Sequence, residues 1–513
     1  MVGNKVNGLG MYDISALKKN CKKNPGKGSK PTKTASESRN ISKWESKETI
    51  VKTFNSFPYK DTKQENGAGV PLYYDGDKVY HGDETHVLVI GSTGSRKTRC
   101  VIAPTVKLLA RGGESMVVAD PKGELLDFAY PDLVRYGYNI HVMDFRSVTG
   151  NTCWNPMAIP FDLIKSGDAI KENEGRMMLS RLASDMIPVF NEDDQYWERS
   201  AQGLLYAMML LVIKNAKSVG EANLYNVVQN VDRIFQSESV MNTFLSTLSP
   251  KSPEYLPILT IVCNATTTRN CVLSTFNQHM SPYMNDSHLV DMLSRNSFKM
   301  ESLATEKSAL FLVLPDENPS TYPLAVMFLS QLYGALVKKA QSMDGEKKLP
   351  IRVNFVLDEF AALPKMRSMP NMITAARGRN IRFILAIQDM FQLIHRYNDD
   401  GKTIASNCNT WIYLYSRQIS FLNELSETVG NDENGNPLIS AIGLMNLDLG
   451  EALVICGRMH PFLSKLLDIS EYNDSDQHYP VKNRNPIVPK CMDLISRCKK
   501  SIKEASGFDD FDF

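Results

Sequence analysis

The sequence predicts an α/β fold in which a mostly parallel sheet, covered by helices, is interrupted by an all-helical insertion. Three observations predict it. Short, almost wholly apolar runs recur, at 86–90, 115–119 and 381–387 among others, the pattern of strands buried on both faces. Helical periodicity separates successive runs, as crossovers between parallel strands require. From about 161 to 300 convincing strands vanish and helical periodicity dominates.

Taken in order, residues 1–65 are polar and rich in Lys, Ser and Asn, with a basic run from Lys18 to Lys33. They read as a disordered or loosely packed arm, in which a solvated tail and a nucleic-acid or membrane-surface arm both stay open. A hairpin follows, with Leu72, Tyr73 and Tyr74 set against Val79 and Tyr80 across an Asp75-Gly76 turn signal. Residues 66–160 are read as the first part of the α/β domain, with strands at 86–90, 115–119 and 139–143. The insertion, 161–300, holds helices from Glu198 to Lys214 and from Leu224 to Phe235. Strands resume at 309–314, 353–357, 381–387, 411–414 and 452–455, making 301–480 the second part of the domain. Residues 481–513 form a tail whose end, Gly507 to Phe513, is acidic and aromatic: disordered, or a docking peptide.

Composition bounds the function. A chain of 513 residues, 43% hydrophobic and 22% charged, fits two or three globular domains. The net charge of +1 argues neither for nor against nucleic acid, so any DNA contact must come from local patches. Nine scattered cysteines form no C-x-x-C pair, which reads as a reduced, cytosolic set without a zinc site or disulfide framework. The eight histidines show no metal-ligand spacing. No run approaches the roughly 18 apolar residues of a membrane span. The N-terminus also lacks a signal-peptide core, so a soluble chain is expected.

Two motifs carry chemistry. After the strand at 86–90 come Gly91, Ser92, Thr93, Gly94, Ser95, Arg96, Lys97 and Thr98. This matches the phosphate-loop pattern G-x-x-x-x-G-K-[ST] except that Arg96 replaces the second glycine. Small residues let backbone N–H groups curl around a triphosphate, and a helix N-terminus adds partial positive charge. Lys97 would reach the outer phosphates and the Thr98 hydroxyl would sit on Mg²⁺. Alone, the segment also fits a Gly/Ser-rich turn before a basic helix start. The second motif is an apolar strand ending in Asp358 and Glu359. In a nucleotide-hydrolysing domain the aspartate holds Mg²⁺ and the glutamate deprotonates the attacking water. Two solvated acids at a strand end are the plain alternative. Together the motifs make an ATPase, with ATP and Mg²⁺ as ligands, the leading reading.

The order GSTGSRKT, ADPKGE, FVLDEF, AARGRNIRFILAIQD and GEALVICG resembles the TraG-like coupling ATPases of conjugation and type IV secretion, over about residues 66 to 480. The resemblance implies a RecA-like P-loop domain with an all-alpha insertion, assembled as a hexamer. It implies that the chain hands relaxase-bound, single-stranded DNA, or a cargo protein, to a membrane-embedded channel. Gln388, at a strand end, would sense the γ-phosphate. Arg377 or Arg379 would act on a neighbour's nucleotide, although two arginines near a turn are also commonly just solvated. Asp120, Lys122 and Glu124 would transmit nucleotide state or simply cap a helix. Two departures stand out: many family members begin with a membrane anchor, and this chain shows none. The expectation is therefore a cytoplasmic protein that reaches the inner face of the membrane through a partner or does not dock there at all. The other departure is Arg96, whose side chain either turns away from the phosphates or adds a cation to them. Alternatives to a secretion ATPase are a DNA translocase without a secretion role and a non-hydrolysing adaptor that recruits cargo through the helical part.

Overall fold

Alternation within the apolar runs decides the architecture. The computed structural model describes residues 42–59, 68–82, 85–146, 150–189, 195–315, 319–472, 478–480 and 485–506. A small antiparallel sheet holds β1 (Asn55–Pro58), β2 (Val70–Tyr74) and β3 (Lys78–Gly82), in the order β1-β3-β2. The main sheet holds β4 (Val87–Gly91), β5 (Ser115–Asp120), β6 (Asn139–Asp144), β7 (Ser308–Val313), β8 (Val353–Leu357), β9 (Ile381–Ile387), β10 (Thr410–Tyr415), β11 (Glu451–Cys456) and β12 (Phe462–Lys465). Its order is β12-β11-β10-β4-β9-β8-β5-β7-β6. From β10 to β6 every pairing is parallel, and β11 and β12 add an antiparallel edge.

Successive residues of each central strand enter different cores. Leu88, Ile90, Val117, Phe355 and Leu385 join one cluster. Val87, Val89, Met116, Val356 and Ile384 join the other. Burial on both faces explains why these strands read as continuous apolar runs. The first cluster continues into the helices between β6 and β7, where Leu204, Leu205 and Met208 to Ile213 are almost fully buried. These residues belong to helix Tyr196–Asn215, the centre of the helical part. Asp168 and Asn223 cap neighbouring helices by accepting backbone N–H bonds from the first turn. Among the described residues no helix is long and apolar enough to cross a membrane.

The amino-terminal end of the described chain departs from the expectation. Residues 42–59, read as part of a disordered or loosely packed arm, include helix Lys47–Thr53 and strand β1. Ser46 caps that helix, and β1 completes a sheet whose other strands were recognised as a hairpin. The basic run from Lys18 to Lys33 lies outside the described residues. Near the other end, helix Leu494–Ser506 packs against helix Tyr196–Asn215, and the residues that lead into it are pinned to helix Leu224–Ile234. Asn226 Oδ1 accepts from the Met492 N–H at 2.7 Å, and Asn230 bonds the Met492 carbonyl and the Leu494 N–H. Arg497 closes the contact with a two-pronged bond to Glu221. The segment from Gly507 to Phe513 lies outside the described residues.

Candidate functional site

The crevice lies where an open parallel sheet presents the carboxyl ends of its strands. β9 lies between β4 and β8, so the residue that follows β9 stands between the phosphate-loop segment and the acidic pair. That residue is Gln388. A cavity of about 500 Å³, within the range of small-molecule sites, opens there and is lined by Ser92, Gly94, Lys97, Thr98, Asp358 and Gln388 among others.

The loop's shape follows from its small residues. Gly94 takes φ +84°, a left-handed conformation that costs glycine little. A Cβ on Gly91 would lie 2.4 Å from Ser95 Oγ, so that position tolerates only glycine without movement. Arg96 takes φ +62°, the conformation its missing glycine would have supplied. For a side-chain-bearing residue this costs roughly 1–2 kcal/mol. The Arg96 side chain approaches Asp468, with Nη1 3.6 Å from Oδ2, and also lines the cavity.

Lys97, only 5% exposed, places Nζ 3.0 Å from Glu359 Oε1 and 4.0 Å from Asp358 Oδ1. The Thr98 hydroxyl donates to Asp358 Oδ2 at 2.9 Å. Gln388 Nε2 donates to Glu359 Oε2 at 3.1 Å, and Gln392 Nε2 in turn donates to Gln388 Oε1 at 3.2 Å. Glu359 sits at φ +55°, a left-handed turn directly after β8 that places its carboxylate beside Lys97 and Gln388. Five residues from three separate stretches of the sequence, Lys97, Thr98, Asp358, Glu359 and Gln388, thus share one hydrogen-bonded cluster.

Burial pushes the Asp358 carboxyl above its ordinary range, against the pull of Lys97 and Thr98. Burial also pushes Asp120 up, to about 6, although the N–H groups of Gly123, Leu125 and Leu126 all donate to it. Asp120 therefore satisfies first-turn N–H groups of the helix Glu124–Arg135, whose N-cap residue is Gly123. Buried carboxylates in excess over one lysine favour a divalent cation, and Thr98 and Asp358 supply the hard oxygen donors Mg²⁺ takes. Among the described residues Ser95 Oγ is buried with no hydrogen-bond partner. An orphaned donor, a small-residue cradle and a buried lysine together fit a phosphate chain.

The structure does not bring Arg377 and Arg379 into this cluster. They form the turn before β9, whereas Gln388 follows its far end. Seven strand residues separate the two ends by roughly 20 Å. Sequence reasoning missed Asp468, which holds the phosphate-loop side through Arg96 and Arg99. The Asp468-to-Glu471 capping box was a readable helix start, but nothing local names its partners.

The family model for type IV secretory system conjugative DNA transfer matches residues 33–433. The chain belongs to that family. Conjugal transfer protein TraG of Escherichia coli is 24% identical over 389 residues, 69% of this chain and 57% of TraG. Protein VirD4 of Rhizobium radiobacter is 24% identical over 368 residues, 70% of this chain and 50% of VirD4. The chain spans about half the length of the curated relatives it matches. Among solved structures, the plasmid coupling protein TrwB in complex with the ATP analogue ADPNP superposes with a TM-score of 0.54 at 17% identity, covering 87% of this chain and 95% of TrwB. TrwB in complex with ADP and Mg²⁺ gives 0.52 at 17% identity, covering 90% and 98%. At such identity the likeness establishes the fold, a RecA-like P-loop domain with helical additions.

Proposed function

We propose that the chain is a coupling ATPase that uses Mg²⁺·ATP hydrolysis to drive DNA, or a protein bound to it, into a conjugative or type IV secretion channel. One observation carries the ATPase reading: Lys97, Thr98, Asp358, Glu359 and Gln388 converge on one cavity at the strand ends. Lys97 and the loop amides of Gly91 to Thr98 hold the phosphates. Thr98 and Asp358 hold Mg²⁺, which supplies charge neutralisation for the transferring phosphoryl group. Glu359 takes the proton of the attacking water, and Gln388 fixes the carboxylate that does so. Arg377 or Arg379 reaches a neighbouring subunit's nucleotide, which requires a homo-oligomer, in our reading a hexamer.

Family membership supports the transfer role, since the relatives bear the names conjugal transfer protein and coupling protein. In this reading the substrate is single-stranded, relaxase-bound DNA, gripped mainly through its phosphates. Relaxosome or cargo proteins meet the helical part, residues 161–300, and a membrane-embedded channel component docks the complex. The deciding experiment is ATP turnover, with and without single-stranded DNA, by the wild type and Lys97→Ala. Mg²⁺-dependent turnover that DNA stimulates and Lys97→Ala abolishes is expected. Equal turnover by the two proteins would remove the site from the mechanism.

A further inference from the structure

The one departure of the phosphate loop from its pattern has a partner elsewhere in the chain. Arg96 occupies a left-handed backbone position, φ +62°, that glycine fills at little cost and arginine does not. Its guanidinium is 3.6 Å from the Asp468 carboxylate. Three residues on, Arg99 Nε donates to the same carboxylate at 2.9 Å and its Nη2 bonds the second oxygen. Two cations, one in the loop and one in the turn behind it, thus converge on one acid.

Asp468 is built to receive them. Its side chain is 10% exposed, against 43% for Arg96. The backbone around it is held by a capping box, in which Ser470 N–H donates to Oδ1 and Glu471 accepts from the Asp468 N–H. The Arg99 bonds hold its carboxyl far below the usual range, so it stays charged through any physiological pH. It lies just past β12, on the antiparallel edge, 369 residues after Arg99.

We propose that Asp468 is a positioning residue for the phosphate site: it holds Arg96 in the left-handed turn and so keeps the loop amides aimed at the phosphates. A glycine would need no such anchor. An arginine without it is free to relax toward a right-handed conformation, and the N–H groups from Ser95 to Thr98 would turn with it. The inference rests on the ATPase reading for its consequence, but the anchoring itself is a property of the loop.

The test is a double-mutant cycle with two readouts. Asp468→Asn, close in size and able to fold, should weaken Mg²⁺·ATP binding about five- to tenfold. In an Arg96→Gly background the same change should alter binding less than about twofold, because glycine holds the turn alone. Arg96→Ala, at a largely exposed side chain, should bind several-fold more weakly than Arg96→Gly. The second readout uses no nucleotide: deuterium uptake by the loop peptide should rise in Asp468→Asn and stay level when Arg96→Gly is already present. Equal losses in both backgrounds, or equal behaviour of the alanine and glycine variants, would overturn the proposal. So would tighter binding by Asp468→Asn, which would make Arg96 a phosphate ligand once released. If the wild type binds no ATP, the functional reading fails, and the uptake comparison still decides the anchor.

Discussion

Lys97 Nζ lies 3.0 Å from Glu359 Oε1, so the lysine that would hold the phosphates is paired with the acid that would activate water. Both groups are held by others: Glu359 Oε2 accepts from Gln388, and Lys97 is also 4.0 Å from Asp358. On the proposed reading, this pairing would couple binding to chemistry. A phosphate that drew Lys97 away would free Glu359 Oε1 of its cation, leaving Oε2 bonded to Gln388.

Glu359→Gln separates the two roles. The amide keeps its place beside Gln388 but takes no proton, so single-turnover hydrolysis should fall about 100-fold or more. ATP affinity should hold or improve, because Lys97 no longer shares its charge with a carboxylate. Turnover within a few-fold of wild type would move the base elsewhere.

Gly91 offers a steric test of the cradle. A methyl group there would sit 2.4 Å from Ser95 Oγ and 3.2 Å from Ser95 Cβ. Rotating the hydroxyl relieves only the first contact. Gly91→Ala should therefore weaken ATP binding about tenfold, and cost about 1–3 kcal/mol of stability through overpacking. Adding Ser95→Gly should restore most of both. Failure of the second substitution to rescue would place the clash elsewhere in the loop.

What could be read from the chain follows physical range. The strands at 86–90, 353–357 and 381–387 announce themselves because burial on both faces leaves only apolar residues. Lys97, Thr98, Asp358 and Glu359 could be named because loop and strand-end chemistry is local. Strand order is not local: nothing near Ile381 says that β9 inserts between β4 and β8, which puts Gln388 against Glu359. The partner of Arg96 was equally hidden, since Asp468 sits on a four-residue edge strand's exit far along the chain. Helix Lys47–Thr53 was missed because its single buried residue, Ile50, leaves no apolar stripe to read.

His86 links stability to pH. It is buried just before β4, and its Nδ1 accepts the Phe383 N–H at 2.9 Å, a role open only to neutral imidazole. Burial, with Arg382 and Arg377 nearby, pushes its pKa down from 6.5 to about 4. The unfolded chain therefore binds this proton first. The stability from a neutral His86 is full above about pH 6.5 and is lost as pH falls toward 4. The whole gap corresponds to about 3 kcal/mol. His86→Asn keeps an acceptor near Nδ1 but does not titrate. Urea unfolding of both proteins from pH 7 to 4 should show the wild type losing stability relative to the variant. Parallel profiles would clear His86 of the effect.

Arg377 and Arg379 present the last test. They sit at the amino end of β9, with the Arg379 carbonyl accepting from Leu349 N–H, while the nucleotide cluster lies at the other end. Roughly 20 Å of strand separates them, so neither arginine serves its own chain's site. If they serve a neighbour, removing both should leave ATP binding intact and stop turnover. Mixing then becomes decisive. Chains lacking both arginines keep Glu359, and Glu359→Gln chains keep the arginines. Each protein alone should be inactive. A mixed boundary that pairs an intact Glu359 with a neighbour's arginines should recover part of the activity, rising with protein concentration as assembly does. Native mass spectrometry of the same mixtures confirms that mixed assemblies form. Silence at every ratio in assemblies known to be mixed would make these arginines supports for the amino edge of the sheet rather than participants in hydrolysis.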